Sequence, residues 1–357
     1  MRAWQYTSAG NDLPAALTLR ADAPRPPAPL AADRLLVRVT HMSPNPADYK
    51  IAEAGRLFSH LITRSFSSAA AASPGLDYAG VVEEVGSGVN ASSSSSSSSG
   101  GRAAGYEPGD AVFGSVFATP FGSLGEYVQP RPDGCVPLPP SVSPADASTL
   151  GTAAVTAYQA IRPYVRPGRG DEVFVNGGSG GVGTYAIQIA ARVLGCVVTT
   201  SCSARNADLC AGLGASTVID YASVDVSAAL RARGPVFRLV VDNVGHSPAD
   251  LYKAADDYLA PDGVFVQVGG EFGLAGLRAI ASRALRPGFL GGGRRAWKFL
   301  TVGERHEDLA QLARWLQEGK IRAVIDGDVF PFEEAPKAFE KLKTGRTRGN
   351  IVVKVSD

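Results

Sequence analysis

Paired cysteines are missing from this chain. The four it has, Cys135, Cys196, Cys202 and Cys210, include no C-x-x-C pair, so spacing offers neither a thiolate metal clamp nor a dithiol motif. Three of them fall within one stretch of alternating strand and helix, where small buried residues belong, and reduced structural thiols in a cytoplasmic protein are the expectation. An excess of either charge is also missing: 35 Lys and Arg against 34 Asp and Glu leave a formal net charge of +1. Without a basic stripe, neither nucleic acid nor an anionic membrane surface is an expected partner. No apolar run reaches the roughly 18 residues of a membrane span. The opening MRAWQYTSAG lacks the charged start and apolar core of a secretory signal, so none is expected.

What is present centres on DEVFVNGGSGGVGTYAIQIAARVLG, Asp171 to Gly195. Val173, Phe174 and Val175 read as a buried parallel strand. The chain then breaks into Gly178, Ser179, Gly180, Gly181, Val182 and Gly183, with the spacing G-x-G-x-x-G. From Thr184 to Leu194, apolar Ala186, Ile187, Ala190 and Leu194 predict a helix. Strand, glycine turn and helix is what a dinucleotide pyrophosphate needs: glycines let the backbone approach the phosphates, and a helix N-terminus supplies free N–H groups. An ordinary strand-to-helix turn is the plainer alternative, since the motif alone is weak.

At 357 residues the chain is long enough for two domains. Its first part reads as β-rich. LLVRVT alternates as a half-buried antiparallel strand, and PGLDYAGVVEEVGSGV, YEPGDAVFGSV and GSLGEYVQP supply further strands between Gly and Pro turns. Two segments break that pattern: Gly55 to Ser73, rich in Ser and Ala and expected as a mobile surface stretch, and an insert at 91–105 containing Ser92 to Ser99, expected to be disordered. Helices begin near Ser143, an N-cap followed by Pro144. Beyond Arg169, strands and helices alternate (strands at Cys196–Ser201, Thr217–Asp220, Phe237–Asp242 and Gly263–Val268, helices at Asn206–Leu213, Val226–Arg233 and Ala249–Tyr258), which predicts a parallel α/β sheet covered on both faces. Gly288 to Arg295 is expected as a loop. Glu333 to Lys343 reads as a helix and Asn350 to Val355 as a last strand.

The ordered segments NPADYK, PGLDYAGVVEEVGSGV, PGDAVFG, GSLGEYV, TAAVTAYQA, NGGSGGVG, VDNVG, VQVGG and GNIVVKV together resemble the medium-chain dehydrogenase/reductase superfamily, in its zinc-independent quinone oxidoreductase and enoyl reductase branch. That resemblance implies a GroES-like β-rich catalytic domain, 1–145 and 305–357, completed by the C-terminal strands, and a Rossmann doubly wound parallel-sheet domain at 146–304. It also implies a homodimer paired through the Rossmann sheet edge. Zinc alcohol dehydrogenases of the superfamily carry C-x-x-D where this chain has Asn45-Pro46-Ala47-Asp48, and Gly-His-Glu where it has Gly75-Leu76-Asp77. An amide and an alkyl group replace thiolate and imidazole, so no metal is expected; His41 and His60 are expected as packing or surface histidines. Hydride transfer from a nicotinamide then carries the chemistry, on a quinone or an α,β-unsaturated carbonyl. The alternatives are a trans-acting enoyl reductase of a polyketide pathway and a non-catalytic NADPH-binding protein of the crystallin kind.

NADPH rather than NADH is expected because the second strand ends TTSCSARN. Ser201, Ser203 and Arg205 stand where an NAD site has a carboxylate, and a guanidinium fork suits a 2′-phosphate. By resemblance Tyr221 is a second contact to it, although Arg205 also reads as a solvated loop arginine. The resemblance places Asn45 beside the nicotinamide, with an Asn making turn hydrogen bonds as the alternative, and Thr156 near the nicotinamide amide and ribose. Tyr49 and Lys50 follow as catalytic candidates, Lys50 as a proton donor or carbonyl polariser or simply as an exposed lysine. Asn243, Val268 and Gly269 lie at strand C-terminal ends, where an open α/β sheet binds its ligand; Gly269 equally suits a plain turn.

Overall fold

The computed structural model of the chain describes residues 1–54, 71–90, 105–117, 121–245, 251–268, 270 and 294–357. The serine run, His60, Gly269, most of the segment expected to be mobile and most of the Gly/Arg-rich loop lie outside the described residues. Two compact units emerge. The first comprises Met1–Thr152, Glu304–Gln317 and Ile325–Asp357, the second Ala153–Gly303 and Glu318–Val324. Both boundaries expected at 145/146 and 304/305 are close to these, but 318–324 belong to the second unit. No helix among the described residues is long and apolar enough to cross a membrane.

The first unit is built on strands. β1 (Ala3–Gln5) and β2 (Thr18–Arg20) form an antiparallel pair. The main sheet starts with β3 (Leu35–Ser43), which alternates as its sequence predicts: Leu35, Val37 and Val39 are buried while Leu36, Arg38 and Thr40 are partly exposed. β4 (Asp77–Val85), β5 (Ala111–Ser115) and β7 (Cys135–Pro137) follow antiparallel in turn, and β6 (Tyr127–Val128) pairs with β3. Ala72 and Ser73, expected in a mobile stretch, are instead buried; Ala72 exchanges both backbone hydrogen bonds with Tyr6, at 3.0 Å each. The apolar pair Ala72 and Tyr6 gives that segment something to pack on, which its Ser/Ala composition conceals.

Among its described residues the second unit holds six parallel strands: β8 (Glu172–Asn176), β9 (Val197–Cys202), β10 (Thr217–Asp220), β11 (Phe237–Asp242), β12 (Leu259–Gln267) and β13 (Ala296–Phe299). Their order across the sheet is β10-β9-β8-β11-β12-β13. The order reverses between β8 and β11, and ligands of such sheets bind at that point, outside the strand carboxyl ends. Edge-to-face contacts of Phe237 with Phe174 (6.1 Å) and Tyr258 (6.3 Å) anchor its core. Two readings change here. Leu251–Tyr258 makes turns and one 3₁₀ turn at Ala255–Asp257 rather than an α-helix, although Leu251, Tyr252, Ala255 and Tyr258 enter the core at the spacing that suggested a helix. β13 was not expected at all, since AWKF sits at an exposed sheet edge with no alternating pattern.

The chain then returns to the first sheet. β14 (Phe330–Pro331) and β15 (Val353–Lys354) extend it, with Val353 opposite Met42 and Lys354 opposite His41 on β3. The last strand thus rejoins the N-terminal domain, as expected.

Candidate functional site

In the second unit, register brings polar residues into one row at the carboxyl ends of the parallel strands. Ser201 stands opposite Asn176, Asn176 opposite Asp242, and Asp242 opposite Gln267. All four are buried, so each needs a partner. The Ser201 hydroxyl donates to Asn176 Oδ1 (2.6 Å) and accepts from the Gly177 N–H (3.1 Å). Asn176 Nδ2 donates to Asp242 Oδ1 (2.8 Å), which also accepts from the N–H groups of Val244 and Gly245 (3.1 Å each). Ser201 therefore supports the glycine turn from beneath. It is fully buried and does not reach the strand tip as expected.

The glycines of the turn do different work. Gly177 adopts φ +78°, a left-handed conformation that glycine takes at no steric cost. A Cβ on Gly178 would lie 2.0 Å from Thr200 Oγ1, and one on Gly183 would lie 2.2 Å from the Gly177 carbonyl oxygen. Both are required by packing of the helix on the strands. Gly180 differs: a Cβ there meets nothing nearer than 3.8 Å. It caps the Gly181–Gln188 helix with ordinary extended angles, so neither packing nor backbone conformation demands glycine here. The N–H groups of Gly181, Val182 and Gly183 open that helix and have no acceptor within it. Beyond Gln188 the expected helix continues as a π-helical turn, Ile189–Val193.

Beside this cradle, Ser179 Oγ accepts from Asn206 Nδ2 at 3.0 Å, while Oδ1 of the buried Asn206 has no hydrogen-bond partner among the described residues. Asn206 was missed in the sequence; it follows Arg205 directly and looks like any helix-start Asn. Ser203 caps the 3₁₀ turn Ala204–Asn206, Arg205 is exposed, and Tyr221 is 61% exposed just beyond β10. The Tyr221 N–H donates to Cys202 O, which brings Ser203, Arg205 and Tyr221 to neighbouring strand tips. Asp220 stands among them, its carboxyl held below the usual range by the Ser223 hydroxyl and by backbone N–H groups. Asn243 donates through Nδ2 to Asn176 O (3.1 Å), Val268 follows β12, and Thr156 is buried on the Val155–Ile161 helix. The structure gathers the turn residues with Asn243 and Val268 at one end of the sheet.

The first unit carries the other candidates. Asn45, with Pro46 behind it, caps the Pro46–Glu53 helix, and Asp48 Oδ2 accepts from the Asn45 N–H at 2.6 Å. Asn45 Nδ2 donates to Ser43 O and to Asp77 Oδ2, both at 3.0 Å. Asp77, fully buried at the start of β4, also accepts from Thr152 N (2.8 Å) and Thr152 Oγ1 (2.6 Å). Thr152 lies in the π-helical turn Leu150–Ala154. Burial pushes the Asp77 carboxyl up to about 7, against the pull of its donors Thr152 and Asn45. Burial also raises Asp48 well above the carboxylate range, with Asn45 and Leu76 N–H groups opposing and the Asp77 charge reinforcing it. Tyr49 turns elsewhere: it packs on the first unit's core, its ring 5.7 Å from Lys343 Nζ. That is a packing position for the ring of partly buried Tyr49. Lys50 is half-buried on the same helix.

This node does not fit zinc. Leu76 offers no donor, the Asn45 amide has both protons engaged, and the Asp77 oxygens accept three hydrogen bonds. Among the described residues no three His, Cys, Asp or Glu side chains converge. The four cysteines are buried and form no disulfide, and burial raises the Cys135 thiol to about 12 and Cys196 to about 11. His41 is half-buried on β3 beside Thr40 Oγ1.

Comparison with known proteins agrees with this architecture. The family model described as alcohol dehydrogenase GroES-like domain matches residues 31–140, and that described as zinc-binding dehydrogenase matches residues 213–353. Over 363 residues the chain is 42% identical to the trans-enoyl reductase pgmF of Aspergillus terreus, spanning 100% of this chain and 97% of that protein. Among solved structures, the quinone oxidoreductase of Coxiella burnetii matches with TM-score 0.80 and 29% identity over 100% of this chain and 99% of that one. Escherichia coli quinone oxidoreductase complexed with NADPH matches in fold, with TM-score 0.74 and 21% identity over 99% and 100% of the two chains.

Proposed function

Because the chain belongs to the medium-chain dehydrogenase/reductase superfamily and is an oxidoreductase using a nicotinamide cofactor, we propose that it is an NADPH-dependent, zinc-independent reductase of C=C bonds conjugated to a carbonyl, with an enoyl thioester as acceptor. The observation that carries this is the full-length identity of 42% to a trans-enoyl reductase. The site residues support the cofactor half of the reading.

When bound, the dihydronicotinamide supplies a hydride to the β-carbon of the conjugated system. The chain's own residues bind and orient. Gly178, Ser179, Gly180, Gly181, Val182 and Gly183 hold the pyrophosphate through backbone N–H groups and the helix N-terminus. Ser203, Arg205 and Tyr221 receive the 2′-phosphate, Arg205 through its charged fork; Ser201 acts only from beneath the turn. Thr156, Asn243 and Val268 line the nicotinamide side. Asn45 faces the reacting end of the cofactor, and Lys50 donates or relays the proton that the α-carbon takes up.

A quinone is the second reading for the acceptor, favoured by the 29% identity to a quinone oxidoreductase over its whole length. NADPH oxidation followed by absorbance, with a pantetheine enoyl thioester, a simple enone and a benzoquinone as acceptors, separates the two. The expected result is fastest turnover of the thioester with NADPH preferred over NADH. Turnover of the quinone alone overturns the acceptor, and equal use of NADH overturns the cofactor.

A further inference from the structure

Both donors of the Asn45 amide are taken inside the protein. Nδ2 lies 3.0 Å from Ser43 O and 3.0 Å from Asp77 Oδ2. The Ser43 carbonyl identifies that terminal atom as the nitrogen, because an oxygen there would face a carbonyl oxygen that has no proton to give. The backbone N–H is held as well, by Asp48 Oδ2 at 2.6 Å. Only the amide oxygen retains capacity. It has two lone pairs, and the capping box about the helix start uses at most one of them.

We propose that Asp77, supported by Asp48, is a positioning residue that locks the Asn45 amide with its N–H face inward, so that Asn45 meets its ligand as a hydrogen-bond acceptor only. This rests on the reading that places Asn45 at the reacting end of the cofactor. It deepens that reading by fixing the chemistry of the partner. A locked acceptor binds a donor (an amide N–H, a hydroxyl or a protonated amine) and does not stabilise a developing oxyanion. Stabilisation of the enolate oxygen therefore falls to another donor.

Asp77 is suited to the task. Its two oxygens accept from Asn45 and twice from Thr152, so its own orientation is fixed from a third segment of chain. A side chain at Gly151 would meet Asp77 Oδ1 at 2.5 Å, so the backbone closes the remaining side. The titratable groups facing the node are Asp48 from the helix and, against Asp48, Tyr6 from the N-terminal segment, whose hydroxyl burial pushes up to about 12. Ser43 and Thr152 bring no charge.

Three variants test the lock. Asp77→Asn keeps an oxygen where Asn45 and Thr152 N donate and turns its amine to Thr152 Oγ1. Asp77→Leu removes the acceptor from Thr152 N, from Thr152 Oγ1 and from one of the two Asn45 amide protons. Asn45→Asp keeps the outward oxygen but sets a carboxyl against Asp77. The expected result is that D77N retains kcat within about threefold, while D77L loses about tenfold or more with NADPH affinity, read by fluorescence titration, nearly unchanged. N45D is weak and destabilised near about pH 8.5 and recovers near about pH 5.5, where the carboxyl pair holds one proton. A D77N as impaired as D77L, a fully active D77L, or a folded N45D inactive at both pH values overturns the proposal, the last by placing the needed amide protons on the ligand side. Urea midpoints of parent and N45D at the two pH values need no substrate. If the parent turns over no acceptor, the functional reading fails, and those midpoints still decide whether the lock exists.

Discussion

Alanine at each of three glycines in one turn separates packing from ligand binding. A Cβ at Gly183 would sit 2.2 Å from the Gly177 carbonyl oxygen and 2.7 Å from Gly178 Cα, and one at Gly178 would sit 2.0 Å from Thr200 Oγ1. Backbone cannot move aside at Gly183, and Thr200 is fully buried with its hydroxyl donating to Val175 O at 2.7 Å. Overpacking of this kind costs about 1–3 kcal/mol, or roughly 3–10 °C in Tm for a unit of this size. Gly180→Ala meets open space at φ −82°. Its poorer N-cap, about 0.5–1 kcal/mol, is offset by a stiffer unfolded chain, about 0.4–1 kcal/mol, so Tm stays within a degree or two of the parent. Cofactor affinity moves the other way. A methyl facing the pyrophosphate displaces at least one N–H···O⁻ bond of about 1.5–3 kcal/mol, which raises Kd about 10- to 150-fold. Differential scanning fluorimetry without ligand and NADPH titration by fluorescence read the two effects separately. A G180A variant that melts as low as G183A, or one that binds NADPH as tightly as the parent, refutes the division.

Arg205→Ala is expected to raise KM for NADPH by about 10-fold or more, through loss of a charge-assisted contact, and to leave KM for NADH unchanged; equal effects on both remove the 2′-phosphate assignment. Asp77 titrates near 7 when folded, against 3.8 ordinarily. The folded state therefore holds a proton that the unfolded chain has released between these values, and stability falls as pH rises from about 4 to about 7, by at most about 4 kcal/mol. Urea denaturation at intervals across that window should show this slope in the parent and a shallower one in D77N, and equal slopes would contradict the assignment. Metal analysis of active protein should find no stoichiometric zinc, with turnover unaffected by chelator; a chelator-sensitive enzyme would restore a metal to the mechanism.

Much of the fold was legible because its signals are local. β10 and β11 match the strands expected at Thr217–Asp220 and Phe237–Asp242, where apolar runs end at turns. The Ser143 cap is as read, its hydroxyl accepting from Asp146 N. The glycine spacing was equally visible, but the division of labour within it was not. Gly178 and Gly183 are fixed by contacts with Thr200 and Gly177, one of them a neighbouring strand whose register no spacing reveals. β13 and the helix His306–Gln317 escaped for related reasons: the first has no alternation, and the second buries Leu309, Leu312 and Ala313 on a stripe too narrow to stand out beside a charged run.

The site itself shows where local reading stops. Ser201 and Ser203 are two residues apart and looked interchangeable as phosphate ligands, yet Ser201 ends inside β9 with its hydroxyl fixed by Asn176, while Ser203 lies past the strand as a cap. Asn45 was singled out by position, but its chemistry follows from Asp77, 32 residues on, and Asp77 is held by Thr152, a further 75 residues on. A hydrogen bond at such separation leaves no periodicity in the sequence, because it constrains one pair of atoms and not a repeating face. It also reverses the inference drawn from residue type alone. An asparagine in place of a metal ligand suggests a donor that takes over the Lewis acid's task, whereas an amide whose protons are both engaged inside the protein can only accept. The amide at the metal-ligand position is thus no donor for the developing negative charge, and half-buried Lys50, on the helix that Asn45 caps, is the first candidate to replace.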